Sequence, residues 1–129
     1  MNKEDNFKEK FKEALISTVK VISDDFKIEK GERNNFNSKN YNFIEIDNLN
    51  SKEDYVKHRA ETDSEALKRK FSNNNIYKRN LPGNVSCKLL YDISEKIRYE
   101  VLGTKMLNGI SKNLKDNYSH KISLKKKIN

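Results

Sequence analysis

Val85-Ser86-Cys87-Lys88-Leu89-Leu90-Tyr91-Asp92-Ile93-Ser94-Glu95-Lys96-Ile97-Arg98-Tyr99-Glu100-Val101-Leu102 is the stretch on which the fold turns. Val85, Leu89, Ile93, Ile97 and Val101 recur every four residues, with Leu90 and Leu102 beside them. Residues four apart share a helix face, so the pattern predicts an amphipathic helix over residues 85–102. Pro82 and Gly83 make a turn before it, and Asn84 is placed to cap its first turn. Gly103 interrupts or bends the helix, and Met106, Leu107, Ile110, Leu114 and Tyr118 continue the period to about residue 118. The apolar side is expected to pack inward. Asp92, Glu95, Lys96, Arg98 and Glu100 would then form a polar outer face, with Glu95 and Arg98 paired three apart.

Upstream, Phe7, Phe11, Leu15, Thr18 or Val19, and Ile22 mark one face of a helix over about residues 4–23. Phe26 to Lys30 alternates apolar and polar, as does Tyr41 to Ile46 less strictly, with an Asn- and Ser-rich loop between. This predicts a two-stranded hairpin that a helix must cover. Ser51-Lys52-Glu53-Asp54 is close to a capping box and opens a helix to about Phe71 with a poor apolar stripe. On it, Arg59 and Asp63 are four apart and can pair. Ser72 to Asn75 ends that helix. The expected fold is mainly α with a small β-hairpin (α+β): a helix, the hairpin, then three or four helices packed as one domain over residues 1–119. Residues 120–129 are expected as a mobile basic tail.

The 129 residues suffice for one domain. With 34% hydrophobic and 36% charged residues, the chain is polar but can still bury a modest core. No apolar run is long enough to span a membrane, and the charged start lacks the apolar stretch of a signal peptide, so a cytoplasmic protein is expected. The net charge of +8 is unevenly placed. Residues 1–64 hold 12 basic and 14 acidic residues, and residues 65–129 hold 15 and 5. A basic half suits an acidic protein or a nucleic acid. Lysine supplies 22 of the basic residues and arginine only 5, which disfavours forked phosphate and base contacts. A small basic nucleic-acid-binding protein is therefore the alternative reading.

Several chemistries lack their residues. The four glycines include no phosphate-binding loop. His58 and His120 are far apart, lack a metal-binding motif and read as surface residues. Cys87 is the single cysteine, which excludes an internal disulfide, and its helix suggests partial burial. No catalytic constellation and no metal or cofactor site is legible.

Residues 91–118 carry one specific pattern. Tyr91, Asp92, Glu95, Arg98, Glu100 and Gly103, then Met106, Gly109, Asn113, Leu114 and Tyr118, resemble the N-terminal region of CobT, a subunit of aerobic cobaltochelatase. Upstream, Phe11-Lys12 with Ala14-Leu15, then Arg59, Asp63, Ala66 and Leu67, and Pro82, fall where that family has similar residues, so the resemblance spans about residues 9–119. Ser72-Asn73 stands where the family has a His-Asp pair, and Ala60 replaces a glycine. The family's acidic middle and C-terminal von Willebrand A-type domain are not in this sequence.

The resemblance implies a part in cobalamin biosynthesis, within a complex that inserts Co(II) into hydrogenobyrinic acid a,c-diamide at the expense of ATP. It implies two partners, a CobS-like AAA+ ATPase and a CobN-like large subunit that binds the corrin. ATP and Co(II) would act at those partners and not on this chain. Arg59, Asp63, Asp92, Glu95, Arg98, Glu100, Gly103, Met106, Gly109 and Asn113 are the motif residues it offers for docking or for an interhelical lattice. Oligomeric state stays open.

Overall fold

The computed structural model describes residues 2–28 and 49–128 of the chain. They form five helices: α1 (Lys3–Ser23), α2 (Lys52–Phe71), α3 (Asn74–Arg79), α4 (Val85–Met106) and α5 (Asn108–Ile128). There is no strand among the described residues, so the α+β class with a hairpin is corrected to all-α. The start of the expected first strand is a turn. Asp24 ends α1 in the left-handed conformation (φ 58°), and the Asp25 carboxylate accepts a hydrogen bond from the Lys27 amide at 3.1 Å. The turn drops Ile28 into the core and leaves Phe26 in water, which reproduces an alternating pattern without a strand. Residues 29–48, including the expected second strand at 41–46, lie outside the described residues.

Helix α2 is the hub. α1, α4 and α5 all pack on it, and α4 and α5 also touch each other. Its poor apolar stripe has a physical reason. A helix packed on several sides at axis separations of about 8–10 Å has space only for small side chains. The buried residues of α2 are accordingly Ala60, Thr62, Asp63, Ser64, Ala66 and Leu67, together with His58. His58 is thus a core residue and not the expected surface one. The start of α2 is a complete capping box: the Ser51 hydroxyl accepts from the Asp54 amide, and the Asp54 carboxylate accepts from the Ser51 amide at 3.0 Å.

The core forms in two parts. Val19, Ile22, Ile28, Ala60, Ala66, Leu67, Tyr99, Ile110 and Leu114 make the larger one. Phe11, Leu15 and Leu49 make the smaller, closed by Tyr55, which meets the Phe11 ring edge-on at 5.0 Å. The expected face of α1 is buried from Phe11 onward, with Val19, not Thr18, in the fourth position, while Phe7 at its start is exposed.

Helix α4 reverses the expectation drawn from its apolar period. The Asn84 side chain caps it as expected, accepting from the Ser86 and Cys87 amides. Its buried residues, however, are Tyr99, Glu100 and Gly103. The apolar ridge faces outward: Val85 is 84% exposed, Leu89 63%, Ile93 48%, Ile97 56% and Val101 44%. Cys87 is exposed as well, not partly buried. Burying an aliphatic side chain is worth about 1.5–3 kcal/mol, so this helix leaves most of its hydrophobic stabilisation unused within the chain. It docks instead through Tyr99, which joins the larger core, through polar contacts and by one close approach at Gly103. The helix runs through that glycine to Met106 and breaks at Leu107, whose extended backbone (φ −139°, ψ 126°) separates α4 from α5. The segment expected as a tail continues α5 as helix to Ile128.

A Cβ at position 103 would stand 2.3 Å from Leu67 Cδ1 and 2.9 Å from its Cγ, and Leu67 is fully buried. At position 109 a Cβ meets nothing within 4 Å. Overpacking costs about 1–3 kcal/mol, whereas Ala in place of Gly gains about 0.5–1 kcal/mol in a helix. Gly103→Ala should therefore lower unfolding free energy in urea by about 1–2 kcal/mol, and Gly109→Ala should leave it equal or higher.

Candidate functional site

Most of the residues that carry the sequence motif lie along the seam where α4 and α5 meet α2. Glu100 lies at its centre and is buried. Its Oε1 accepts from the Ser64 hydroxyl of α2 at 2.6 Å, and its Oε2 accepts from the Tyr118 hydroxyl of α5 at 2.7 Å. One carboxylate thus ties three helices together. Lys96 Nζ stands 4.0 Å from Glu100 Oε1 and supplies a countercharge from the solvent side. Burial and the bond to Glu100 push the Tyr118 phenol well above its ordinary range.

Next to Ser64 on α2, the Asp63 carboxylate accepts from the Asn113 side-chain amide of α5 at 2.8 Å. Burial raises its pKa; the Asn113 bond and the Arg59 charge act in the opposite direction. Arg59 therefore influences Asp63 through space. Its guanidinium lies over the Phe11 ring, 5.8 Å from the centroid.

The third group clamps the end of α2. Arg98 grips Glu95 with two parallel bonds, Nη2 to Oε1 at 2.7 Å and Nε to Oε2 at 3.0 Å. Arg98 Nη2 also donates to the Phe71 carbonyl at 2.7 Å, satisfying one of the orphan carbonyls at the end of α2. Ser72, the residue that caps α2, donates its hydroxyl to Glu95 Oε1 at 2.8 Å. The Arg98 bond holds the Glu95 carboxyl below its usual range. On α3, the Tyr77 hydroxyl donates to Asp92, which pushes that phenol up to about 12, and the Tyr77 ring lies 5.3 Å from Tyr91.

The structure therefore gathers Asp63, Asp92, Glu95, Arg98, Glu100, Gly103 and Asn113 along the helix seams. Arg59 stands at the α1 side, Met106 is 40% exposed, and Gly109 is open. Sequence reasoning missed Ser64, Ser72 and Tyr77. Ser64 lies in the interior of α2 and Ser72 caps its end, and nothing local in the sequence marks either as a partner of a distant carboxylate. Helix α3 was hidden in an Asn-rich break, although Asn73, which caps it by accepting from Asn75 and Ile76, was the available signal.

An open cleft of about 640 Å³ lies beside the seam between α2, α3 and α4. Its charged lining alternates in sign, with Glu65, Asp92 and Glu95 against Lys68, Arg69 and Lys96. Among the described residues no group of three or more His, Cys, Asp or Glu side chains is placed to hold a metal ion. Every buried side-chain nitrogen and oxygen among them has a hydrogen-bond partner. The seam is thus a satisfied polar lattice on an all-helical unit. No helix among the described residues is long and apolar enough to cross a membrane.

The family model described as cobalamin biosynthesis protein CobT matches residues 5–128. The chain belongs to that family, and its role lies in cobalamin biosynthesis. No curated protein and no solved structure matches it.

Two measurements probe the lattice. Glu100→Ala strands the Ser64 and Tyr118 hydroxyls, and losing bonds to a buried charge costs about 1.5–3 kcal/mol each way it is counted. Urea unfolding should show a loss of about 2–3 kcal/mol, with Ser64→Ala costing less in the Glu100→Ala background than in wild type. The Glu95 clamp predicts a pH dependence. Its folded pKa lies below the unfolded value of 4.5. The stabilisation is therefore fully present above that pH and is lost as pH falls through the folded pKa. Glu95→Gln should flatten this acid-side loss in thermal unfolding.

Proposed function

We propose that this chain is a non-catalytic assembly module of an ATP-dependent cobaltochelatase, the complex that inserts Co(II) into a corrin ring. One observation carries the reading. The ionic side chains of the family motif are engaged with one another and with helix ends, as in a structural lattice. They hold α2, α4 and α5 in register, and a rigid helical unit of that kind serves presentation to partners. Family membership supplies the pathway. In this reading a CobS-like AAA+ ATPase and a CobN-like large subunit are the partners, and ATP and Co(II) act on them as nucleotide and cargo.

The test is reconstitution. The purified chain is mixed with the AAA+ ATPase and the large subunit of the same organism, with a non-hydrolysable ATP analogue, and passed over a sizing column. Co-elution with the ATPase, stronger with nucleotide than without, is expected, and the chain alone should hydrolyse no ATP. A folded chain that elutes alone under both conditions would contradict the proposal.

A further inference from the structure

Helices α1 and α5 both pack on α2 but not on each other, and an open groove of about 480 Å³ lies between them. Val21 and Ile22 of α1 and Leu107 and Ile110 of α5 give it apolar walls. Asp63 of α2 is the one charged residue in the lining. It is only 3% exposed, and among the described residues no cation makes an ion pair with it. Arg59 acts on it through space, with its guanidinium over the Phe11 ring. A buried carboxylate that lacks a paired countercharge is costly. The polar groups beside it leave acceptors. Ser17 and Thr18 donate their hydroxyl hydrogens to the Glu13 and Ala14 carbonyls. Asn113 gives an amide hydrogen to Asp63 and keeps its own side-chain oxygen. Gly109 lies on the rim of the groove. Its φ is not positive, and a Cβ there would meet nothing within 4 Å, so neither backbone strain nor internal packing calls for glycine. What the missing side chain does provide is a clear way in.

We infer that this groove seats a lysine or arginine side chain presented by a partner protein, its charged head at Asp63 and its methylene stem between the apolar walls. The lining decides among occupants. One carboxylate takes one cation. A polyamine would bring further ammonium groups against Val21 and Leu107, where an unpaired charge is costly. An anion would meet the charge of Asp63 itself. The positive field at the start of α5 fades within its first turn, and Asn113 stands in the second. The inference takes nothing from the assembly reading, so either can fail alone.

Binding is measured by NMR on the ¹⁵N-labelled chain with three capped tripeptides that carry arginine, glutamine or glutamate between two leucines. The readouts are the Gly109 backbone amide and the Asn113 side-chain amide. The arginine peptide should shift both saturably. The glutamine and glutamate peptides should bind at least about tenfold more weakly. Asp63→Asn keeps the shape of the side chain and an oxygen for Asn113, and should weaken the arginine peptide at least about tenfold. Gly109→Leu should do the same by filling the mouth of the groove. A side chain there meets nothing internal, so its melting temperature should stay near wild type. Should Asp63→Asn unfold the chain, Gly109→Leu still decides. An arginine peptide that shifts neither signal would overturn the inference, as would equal binding of the arginine and glutamine peptides. So would undiminished binding by Gly109→Leu, tighter binding of spermidine than of the arginine peptide, or a dimer in sedimentation that Gly109→Leu abolishes. If the arginine peptide binds but the chain never joins the ATPase assembly, the assembly role fails and the groove stands.

Discussion

The buried face of α2 carries a hydroxyl and a carboxylate, Ser64 and Asp63, and a polar group removed from water must find a partner. That requirement organises the C-terminal half of the molecule. Glu100 from α4 and Asn113 from α5 meet those groups at 2.6 and 2.8 Å, and Tyr118 closes the other oxygen of Glu100. The polar side of α4 is thereby committed to the hub. Its aliphatic ridge, Leu89, Ile93, Ile97 and Val101, is left facing solvent. Gly103 completes the fit by letting the α4 backbone approach Leu67 more closely than any other residue would permit.

The same logic explains what was legible in the sequence. The face of α1 could be read because Phe11, Leu15, Val19 and Ile22 are simply apolar and simply buried. The caps of α2 and α4 could be read because Ser51 and Asn84 act on backbone amides two or three residues away. The orientation of α4 could not. Periodicity identifies a helix and its two faces, but it does not say which face the neighbouring element requires. That answer lay in Ser64, a residue whose meaning depends on a carboxylate 36 positions later. The hairpin reading failed for a related reason: Ile28 is buried by the turn that Asp24 and Asp25 make, and a buried residue beside an exposed one looks like alternation.

The candidate site was legible as a set of residues and not as a geometry. Asp63, Glu95, Arg98, Glu100 and Asn113 were singled out by their resemblance to a family pattern, and they do converge. They converge as the mortar of a helical unit, with Arg98 and Glu95 sealing the end of α2. A cobalamin biosynthesis family member built this way keeps its charged motif for its own architecture. What it turns outward is the aliphatic ridge of α4, and that orientation of α4 is the core of the account.

The most direct test is the solvent exposure of isoleucine methyl groups, read by NMR with a soluble gadolinium chelate on the dilute chain. The account predicts strong broadening of the Ile93 and Ile97 methyls, with Ile22 and Ile110 protected. Protected Ile93 and Ile97 methyls at that dilution would mean that α4 turns its ridge inward, and the account would be wrong.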